Sequence, residues 1–168
     1  IVVALVVGFA AGIVAAIHRD GWVDRAVTAV SSVLVTIPEF WLAIMSIVFF
    51  SVTLGWLPAG GRGATVTLLG VEWSFLTLNG WAHLFLPALN LALFKFAMMV
   101  RLARAGTREV MLTDTVRFAR AAGESEWTIL SRHVLRLIAI PLVTVFGLEL
   151  SSTLAFAVVT ETIFSWPG

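Results

Sequence analysis

The 168-residue sequence contains no cysteine, a single lysine and few charged residues of either sign. The absence of cysteine excludes disulfides, thiolate metal ligands and cysteine nucleophiles. A phosphate-binding P-loop ends in lysine followed by serine or threonine, but the one lysine, Lys95, is followed by Phe96. No Ser/His/Asp arrangement and no metal-ligand spacing is present. The sequence therefore predicts no catalytic site, no metal site and no cofactor-binding site.

Charged residues make up 12% of the chain, about half the share in an average soluble domain. With a mean hydropathy of +1.00, the chain has too little polar surface to remain dissolved and belongs in lipid. Apolar runs at 1–17, 26–54, 84–100 and 137–160 are close to the about 20 residues that cross a bilayer. We predict an all-α polytopic membrane helix bundle with four to five spans, forming one domain over residues 1–168.

The sequence starts at Ile1 without a methionine and stops at Gly168, within an apolar stretch. We expect it to be an internal part of a longer membrane protein, with further segments at both ends.

Basic residues are distributed unequally among the predicted loops. Of eleven Lys and Arg residues, two lie in the first loop, eight lie around the third, and Arg62 alone lies in the second. Cytoplasmic loops of membrane proteins carry the excess of basic residues, so we expect residues 101–136 to be cytoplasmic. The Trp-containing segment 55–82 is then external, and Pro38 is expected to bend the second span.

The third loop is unusually long and is rich in helix-forming residues. The pattern predicts a short helix over 115–122, capped by Asp114 and ended by Gly123, with Ser125 capping the next helix. Arg101, Arg104 and Arg108 recur at spacings of three and four residues, which places them on one helical face. Residues 114–136 therefore form a helical platform on which a soluble partner can dock. A basic patch of this size beside lipid does not predict nucleic-acid binding.

Five short motifs in this order resemble the permease subunits of ABC importers, specifically the dipeptide/oligopeptide branch. The matching residues are Ile37, Pro38, Phe40, Trp41 and Leu42; Gly55, Trp56, Leu57 and Pro58; Asp114, Arg117, Ala119, Arg120, Ala121 and Gly123; Arg132, His133, Leu135, Arg136, Ile140 and Pro141; and 161–168. The chain departs from the branch pattern at Glu39, Phe118 and Leu137.

The resemblance implies a type I permease domain in a prokaryotic plasma (inner) membrane. It implies a transport subunit that is not itself an enzyme, with ATP bound by partner subunits. The implied partners are two cytosolic ABC ATPase subunits, a second homologous permease, an extracytoplasmic solute-binding protein and the lipid bilayer. The implied cargo is a dipeptide or oligopeptide, moved by alternating access.

The same resemblance assigns ATPase coupling to the short helix and to the turn that follows it. The residues are Arg117, Ala119, Arg120, Ala121, Ala122, Gly123 and Glu124. Small alanines allow a partner surface to approach the backbone, Gly123 permits a tight reversal, and the arginines can bind carboxylates. The alternative is a solvated basic loop that meets anionic lipid.

Three acidic residues within or beside apolar spans are candidates for the translocation path: Glu39, Glu149 and Glu161. A charge at the centre of a span costs about 2.5–3.5 kcal/mol on insertion scales, so such residues usually face a cavity or a partner. Glu39 and Glu149 could meet the ammonium group of a peptide, and Glu161, near the outer edge, could help form the outer gate or the dock for the binding protein. The alternative for the first two is hydrogen bonding within the bundle, and for Glu161 a solvated helix end.

Within the same branch, the cargo could also be a nickel chelate, haem or sugar. Two other classes of function also fit parts of the sequence. A secondary transporter driven by an ion gradient could use Glu39 and Glu149 as ion sites. A membrane-embedded assembly subunit would need no ion site at either residue. The platform at 114–136 favours the importer, because an ion-coupled carrier has no need of it.

Overall fold

The computed structural model describes residues 1–68 and 71–166, and almost all of its regular structure is helical. The helices are α1 (Val2–Ile17), α2 (Trp22–Thr36), α3 (Glu39–Ser46, continued by a π-helix at Ile47–Thr53), α4 (Leu78–Met111), α5 (Asp114–Ala121), α6 (Glu126–Thr128, continued by a π-helix at Ile129–Val134) and α7 (Leu135–Ile163). The predicted all-α membrane fold is confirmed.

Among the described residues, two helices could cross a membrane, or three if a broken pair is counted as one span, which is fewer than the four to five predicted. Only α4 and the continuous helix Glu126–Ile163 are long and apolar enough to cross a membrane alone among the described residues. Helices α2 and α3 are separated by a break at Ile37 and Pro38 and count as one broken span at most. The apolar helix α1 has 16 residues within the sequence given, which corresponds to a length of about 24 Å.

Proline accounts for part of the difference between the predicted and the observed number of spans. Pro38 precedes α3 with φ −59° and ψ 137°, an extended conformation that ends one helix before the next begins, so the bend expected there is confirmed as a complete break. Helix α4 begins at Leu78, before the apolar run at 84–100, and continues through Pro87. The freed backbone carbonyl is tolerated in membrane helices because neighbouring groups can satisfy it.

The contacts divide the chain into two compact units. The first contains Ile1 with residues 36–68, 71–94 and 151–166. Its buried core consists of Ala43, Leu86 and Phe164. The Trp-containing segment adds a two-stranded antiparallel hairpin, β1 (Val66–Leu68) with β2 (Val71–Trp73), and a 3₁₀ turn at Ser74–Leu76. The predicted loop at 69–70 and the end of the last motif, Pro167 and Gly168, lie outside the described residues.

The second unit contains residues 2–35 and 95–150. One apolar cluster connects its helices, with Leu5 and Ile13 from α1, Ala103 from α4, Val116 from α5 and Ile138 from α7 among its members. Burying a Val, Leu or Ile side chain contributes about 1.5–3 kcal/mol, so this cluster dominates the stability of the unit.

Helices α1 and α4 approach closely at two glycines. A Cβ atom built on Gly8 would lie 2.7 Å from the carbonyl oxygen of Phe96, and one on Gly12 would lie 2.5 Å from that of Val100. Any side chain at either position would push the helices apart. Small residues at these two positions therefore form a packing face of α1.

An ionic cluster holds the start of α2 against α4. The Asp24 carboxylate, only 4% exposed, accepts bonds from Arg104 Nε (2.5 Å) and Nη2 (3.1 Å) and from Arg108 Nη2 (2.6 Å). The backbone N–H of Asp20 donates a further bond (3.2 Å). The spacing of four residues between the two arginines places both guanidinium groups on this carboxylate, as their shared helical face predicts.

The close approach at Gly12 predicts that an added methyl group destabilises the fold there but not at an open helical position. In the full-length permease, Gly12→Ala should destabilise the fold by about 1–3 kcal/mol, because α1 must move away from α4. Gly147 is also helical, and no atom lies within 4 Å of an added Cβ. Gly147→Ala should therefore be neutral or stabilising. Thermal unfolding of both variants in detergent checks this; equal effects would contradict it.

The Asp24 cluster predicts that the Asp24 carboxylate contributes far more to the free energy of unfolding than the nearby Asp20 carboxylate does. Asp24→Asn should lower the free energy of unfolding by about 3–5 kcal/mol, because two partly buried arginines lose their counter-charge. Asp20→Asn removes an exposed carboxylate and should change it by about 1 kcal/mol or less. Unfolding of the full-length protein measures both, and similar losses for the two variants would show that Asp24 has no special role.

Candidate functional site

The short helix α5 has one face packed into the protein and one face open. Val116 and Ala119 are buried in the apolar cluster of the second unit. The other predicted coupling residues are exposed except for Glu124, which is half-buried. Ala119 therefore packs against the apolar cluster and is not part of the exposed face of α5. Ala121 and Ala122 are part of that exposed face. Sequence spacing alone left this difference open.

The end of α5 is fixed by a hydrogen-bonded reversal at Gly123. Gly123 has φ +84°, and its N–H bonds to the carbonyl of Arg120 (3.1 Å). The N–H of Glu124 bonds to the carbonyl of Ala119 (3.1 Å). This pair of bonds is the Schellman motif, in which a left-handed glycine ends a helix. The prediction that Gly123 ends the helix is confirmed.

The two predicted helix caps have different outcomes. The Ser125 hydroxyl accepts a bond from the N–H of Thr128 (3.2 Å), so its role as a cap is confirmed. Asp114 is not a cap: it is the first helical residue, and Thr113 occupies the cap position in an extended conformation. The Thr113 hydroxyl donates to the carbonyl of Val110 (2.7 Å) and does not cap the helix. The Asp114 carboxylate instead lies in the first turn, where negative charge is favoured.

The charged residues of the platform pair with one another. Arg120 makes a two-point contact with the Glu126 carboxylate (2.7 and 3.1 Å), and this contact raises the pKa of Arg120 above its ordinary value. Arg117 contacts Asp114 (3.4 Å). His133 lies 3.0 Å from Glu124. Exposed pairs of this kind contribute little to stability because solvent screens them, so either arginine can exchange its carboxylate for one on a partner at little cost.

Two large aromatic side chains project from the platform. Phe118 on α5 is 77% exposed and Trp127 on α6 is 73% exposed. Aromatic residues are enriched where proteins dock, since they bury much area. In the sequence, Phe118 differs from the family pattern, and no prediction was made for Trp127. The available signal was an aromatic residue within an otherwise polar run.

A buried ion pair joins α4 to α7 in the second unit. Lys95 Nζ lies 2.6 Å from Glu149 Oε2, and the lysine side chain is only 2% exposed. Glu149 was predicted to line the path or to bond within the bundle, and the structure places it in this bond. Lys95, the only lysine, was noted only for its failure to form a P-loop; its position in an apolar span was the signal that could have identified it.

The other two candidate glutamates belong to the first unit. Glu39 is the first residue of α3, half-buried directly after Pro38. Glu161 lies in the last turns of α7 and lines a small cavity with Pro87, Thr160 and Trp166. Among the described residues that line this cavity, Glu161 has the only ionisable side chain.

The chain matches the family described as the binding-protein-dependent transport system inner membrane component over residues 8–168. It is 36% identical to the peptide transport system permease protein SapB of Salmonella typhimurium strain LT2, over 98% of this chain and 56% of that protein. It is 40% identical to the di/tripeptide transport system permease protein DppB of Pseudomonas aeruginosa strain UCBPP-PA14, over 96% and 52%.

A third relative carries a different name. The putrescine export system permease protein SapB of Escherichia coli strain K12 is 35% identical, over 98% of this chain and 56% of that protein. The chain thus spans about half the length of the curated relatives it matches. With the family match extending over nearly all of its length, this chain belongs to the binding-protein-dependent transport system inner membrane components, the membrane-integral permeases.

Proposed function

We propose that this chain is the membrane-spanning part of an ATP-driven peptide importer, in which α5 and the following turn receive force from a separate ATPase. Two such ATPase subunits, a second permease and an external solute-binding protein complete the assembly, and residues 101–136 face the cytoplasm. The names of two relatives, for peptides and for di- and tripeptides, support the cargo class. The chain acts as a transport subunit and leaves ATP hydrolysis to its partners.

The observation that carries this proposal is the two-sided character of α5. Its buried face shares an apolar cluster with α1, α4 and α7. Its open face presents Phe118 and two small alanines beside Arg117. A partner that grips the open face therefore moves a helix that is already packed onto membrane helices. Closure of the ATPases would tilt those helices and open the pore outward, and hydrolysis would restore the inward state.

Acidic side chains suit a cargo that carries an ammonium group, as every peptide with a free amino end does. We propose Glu39, Glu149 and Glu161 as residues that meet such a group during translocation. For Glu149 this requires exchange of the Lys95 ammonium for that of the cargo, which replaces one positive partner with another.

Putrescine is a second candidate cargo, supported by the 35% identity to the putrescine exporter subunit. It is a diamine and would use the same acidic side chains. ATP-dependent flux of a labelled dipeptide and of putrescine through the reconstituted full-length transporter separates the two cargoes and the two directions. Flux that persists without ATP and follows a proton gradient would instead favour an ion-coupled carrier.

The open face of α5 predicts a position-specific cross-linking pattern. Because the chain has no cysteine, each introduced thiol is unique within it. In intact membranes, Phe118→Cys and Ala121→Cys should cross-link to a cysteine in the ATPase groove, whereas the buried control Ala119→Cys should not. Capture of the ATPase is scored on immunoblots. Failure of both exposed positions, with the permease present at its normal level, would refute ATPase coupling through α5.

The buried ion pair predicts separate effects on assembly and on transport. Glu149→Gln should lower the amount of folded permease, since Lys95 then retains a buried charge without its counter-ion. The double variant Lys95→Met, Glu149→Met should restore that amount, because both charges are removed together. If Glu149 also meets the cargo, uptake per assembled transporter remains at least tenfold low in the double variant.

Glu109→Gln provides the matched control, because Glu109 is an exposed carboxylate near the end of α4. It should leave both amount and uptake unchanged. Recovery of normal uptake in the double variant would assign the Lys95–Glu149 pair to folding alone and remove Glu149 from the path. Glu39→Gln and Glu161→Gln test the other two positions by the same measurements.

A further inference from the structure

A groove on the second unit has apolar walls and a basic end. Its walls come from α1, α4 and α7 and contain only hydrocarbon and thioether side chains, among them Phe9, Met99 and Val143. A separate shallow depression, lined by Arg132 and Arg136, shares the residue Leu135 with the groove. An elongated apolar surface that ends at two guanidinium groups matches the chemistry of an anionic phospholipid.

The spacing along the helix places the basic and apolar parts on one stripe. Arg132, Arg136, Ala139, Val143 and Phe146 follow one another at intervals of four, three, four and three residues, which is one face of a helix. From Arg136 to Phe146 the helix rises about 15 Å. That distance is half of the about 30 Å hydrocarbon layer, so the stripe has the length of one leaflet.

The two arginines are not neutralised by the chain itself. Both are exposed, and neither has an acidic partner within residues 1–68 and 71–166. The nearest carboxylates along the chain, Glu124 and Glu126, are paired with His133 and Arg120. Positive charge is therefore left at the point where the apolar stripe begins.

We propose that this groove binds one anionic phospholipid, with its acyl chain between α1, α4 and α7 and its phosphate on Arg132 and Arg136. The inference rests on the proposed orientation, in which these arginines lie at the cytoplasmic surface, where anionic lipids are concentrated. Because the lipid lies beside α7 directly after the platform, its binding stabilises the position in which α7 leaves the membrane.

Native mass spectrometry of the detergent-solubilised full-length permease complex tests the proposal. Phosphatidylglycerol and phosphatidylcholine with identical acyl chains are titrated separately. Each arginine near a headgroup should strengthen binding of the anionic lipid about fivefold. The variant Arg132→Gln, Arg136→Gln should therefore reduce its preference from about 25-fold to near one, and Arg132→Lys, Arg136→Lys should retain most of it.

Two further variants test the two parts of the site. Arg19→Gln, Arg25→Gln removes the same number of exposed charges from the first loop and the start of α2, outside the groove, and should leave the preference unchanged. Ala139→Trp fills the groove and should weaken both lipids. This readout needs neither ATP nor cargo, so failure of the lipid site and failure of the proposed transport function remain distinguishable.

Several results would overturn the proposal. One is an unchanged preference in the glutamine variant. Another is displacement of the lipid by soluble glycerophosphoglycerol at equal concentration, which would show a phosphate site without a role for the groove. A third is efficient cross-linking of Val143→Cys to the second permease subunit, which would show that a protein helix occupies the groove.

Discussion

The position of the platform depends on burial of one face of α5 in the same apolar cluster that joins the membrane helices. Val116 and Ala119 contribute from α5, and Ile129 and Val134 from the π-helix that leads into α7. The surface ion pairs around α5 contribute little to stability because solvent screens them, whereas a buried branched aliphatic side chain contributes about 1.5–3 kcal/mol. Apolar packing therefore determines where α5 lies, and its charged residues remain available for exchange.

Other contacts in the second unit support this arrangement. Gly8 and Gly12 allow α1 to approach α4, and Asp24 fixes the start of α2 to the arginines that follow the apolar part of α4. The Lys95–Glu149 pair ties α4 to α7 deeper in the unit. A displacement of α5 thus acts on helices that are already tied to one another, which is the condition for transmitting motion into a membrane. Lipid bound on the outer face of α7 would add to the same restraint.

Local signals explain what could be predicted from the sequence. Gly123 and Ser125 act within one turn of their own positions, and the spacing of Arg104 and Arg108 determines their shared face. The family could be predicted because its motifs are local and ordered. Long-range features had no such signal: Lys95 and Glu149 are 54 residues apart, and nothing near Ala119 distinguishes it from Ala121. The structure supports fewer spans than predicted, in part because the apolar run 26–54 continues through Pro38, where the helix breaks.

The central claim is that α5 transmits force through its buried face, and Val116→Ala tests it most directly. This change removes two methyl groups from the cluster and leaves the open face of α5 intact. In the reconstituted full-length transporter, the account predicts normal association with the ATPase and continued ATP hydrolysis, but several-fold less cargo moved per ATP. An unchanged ratio of cargo to ATP, with the variant stably assembled, would contradict it.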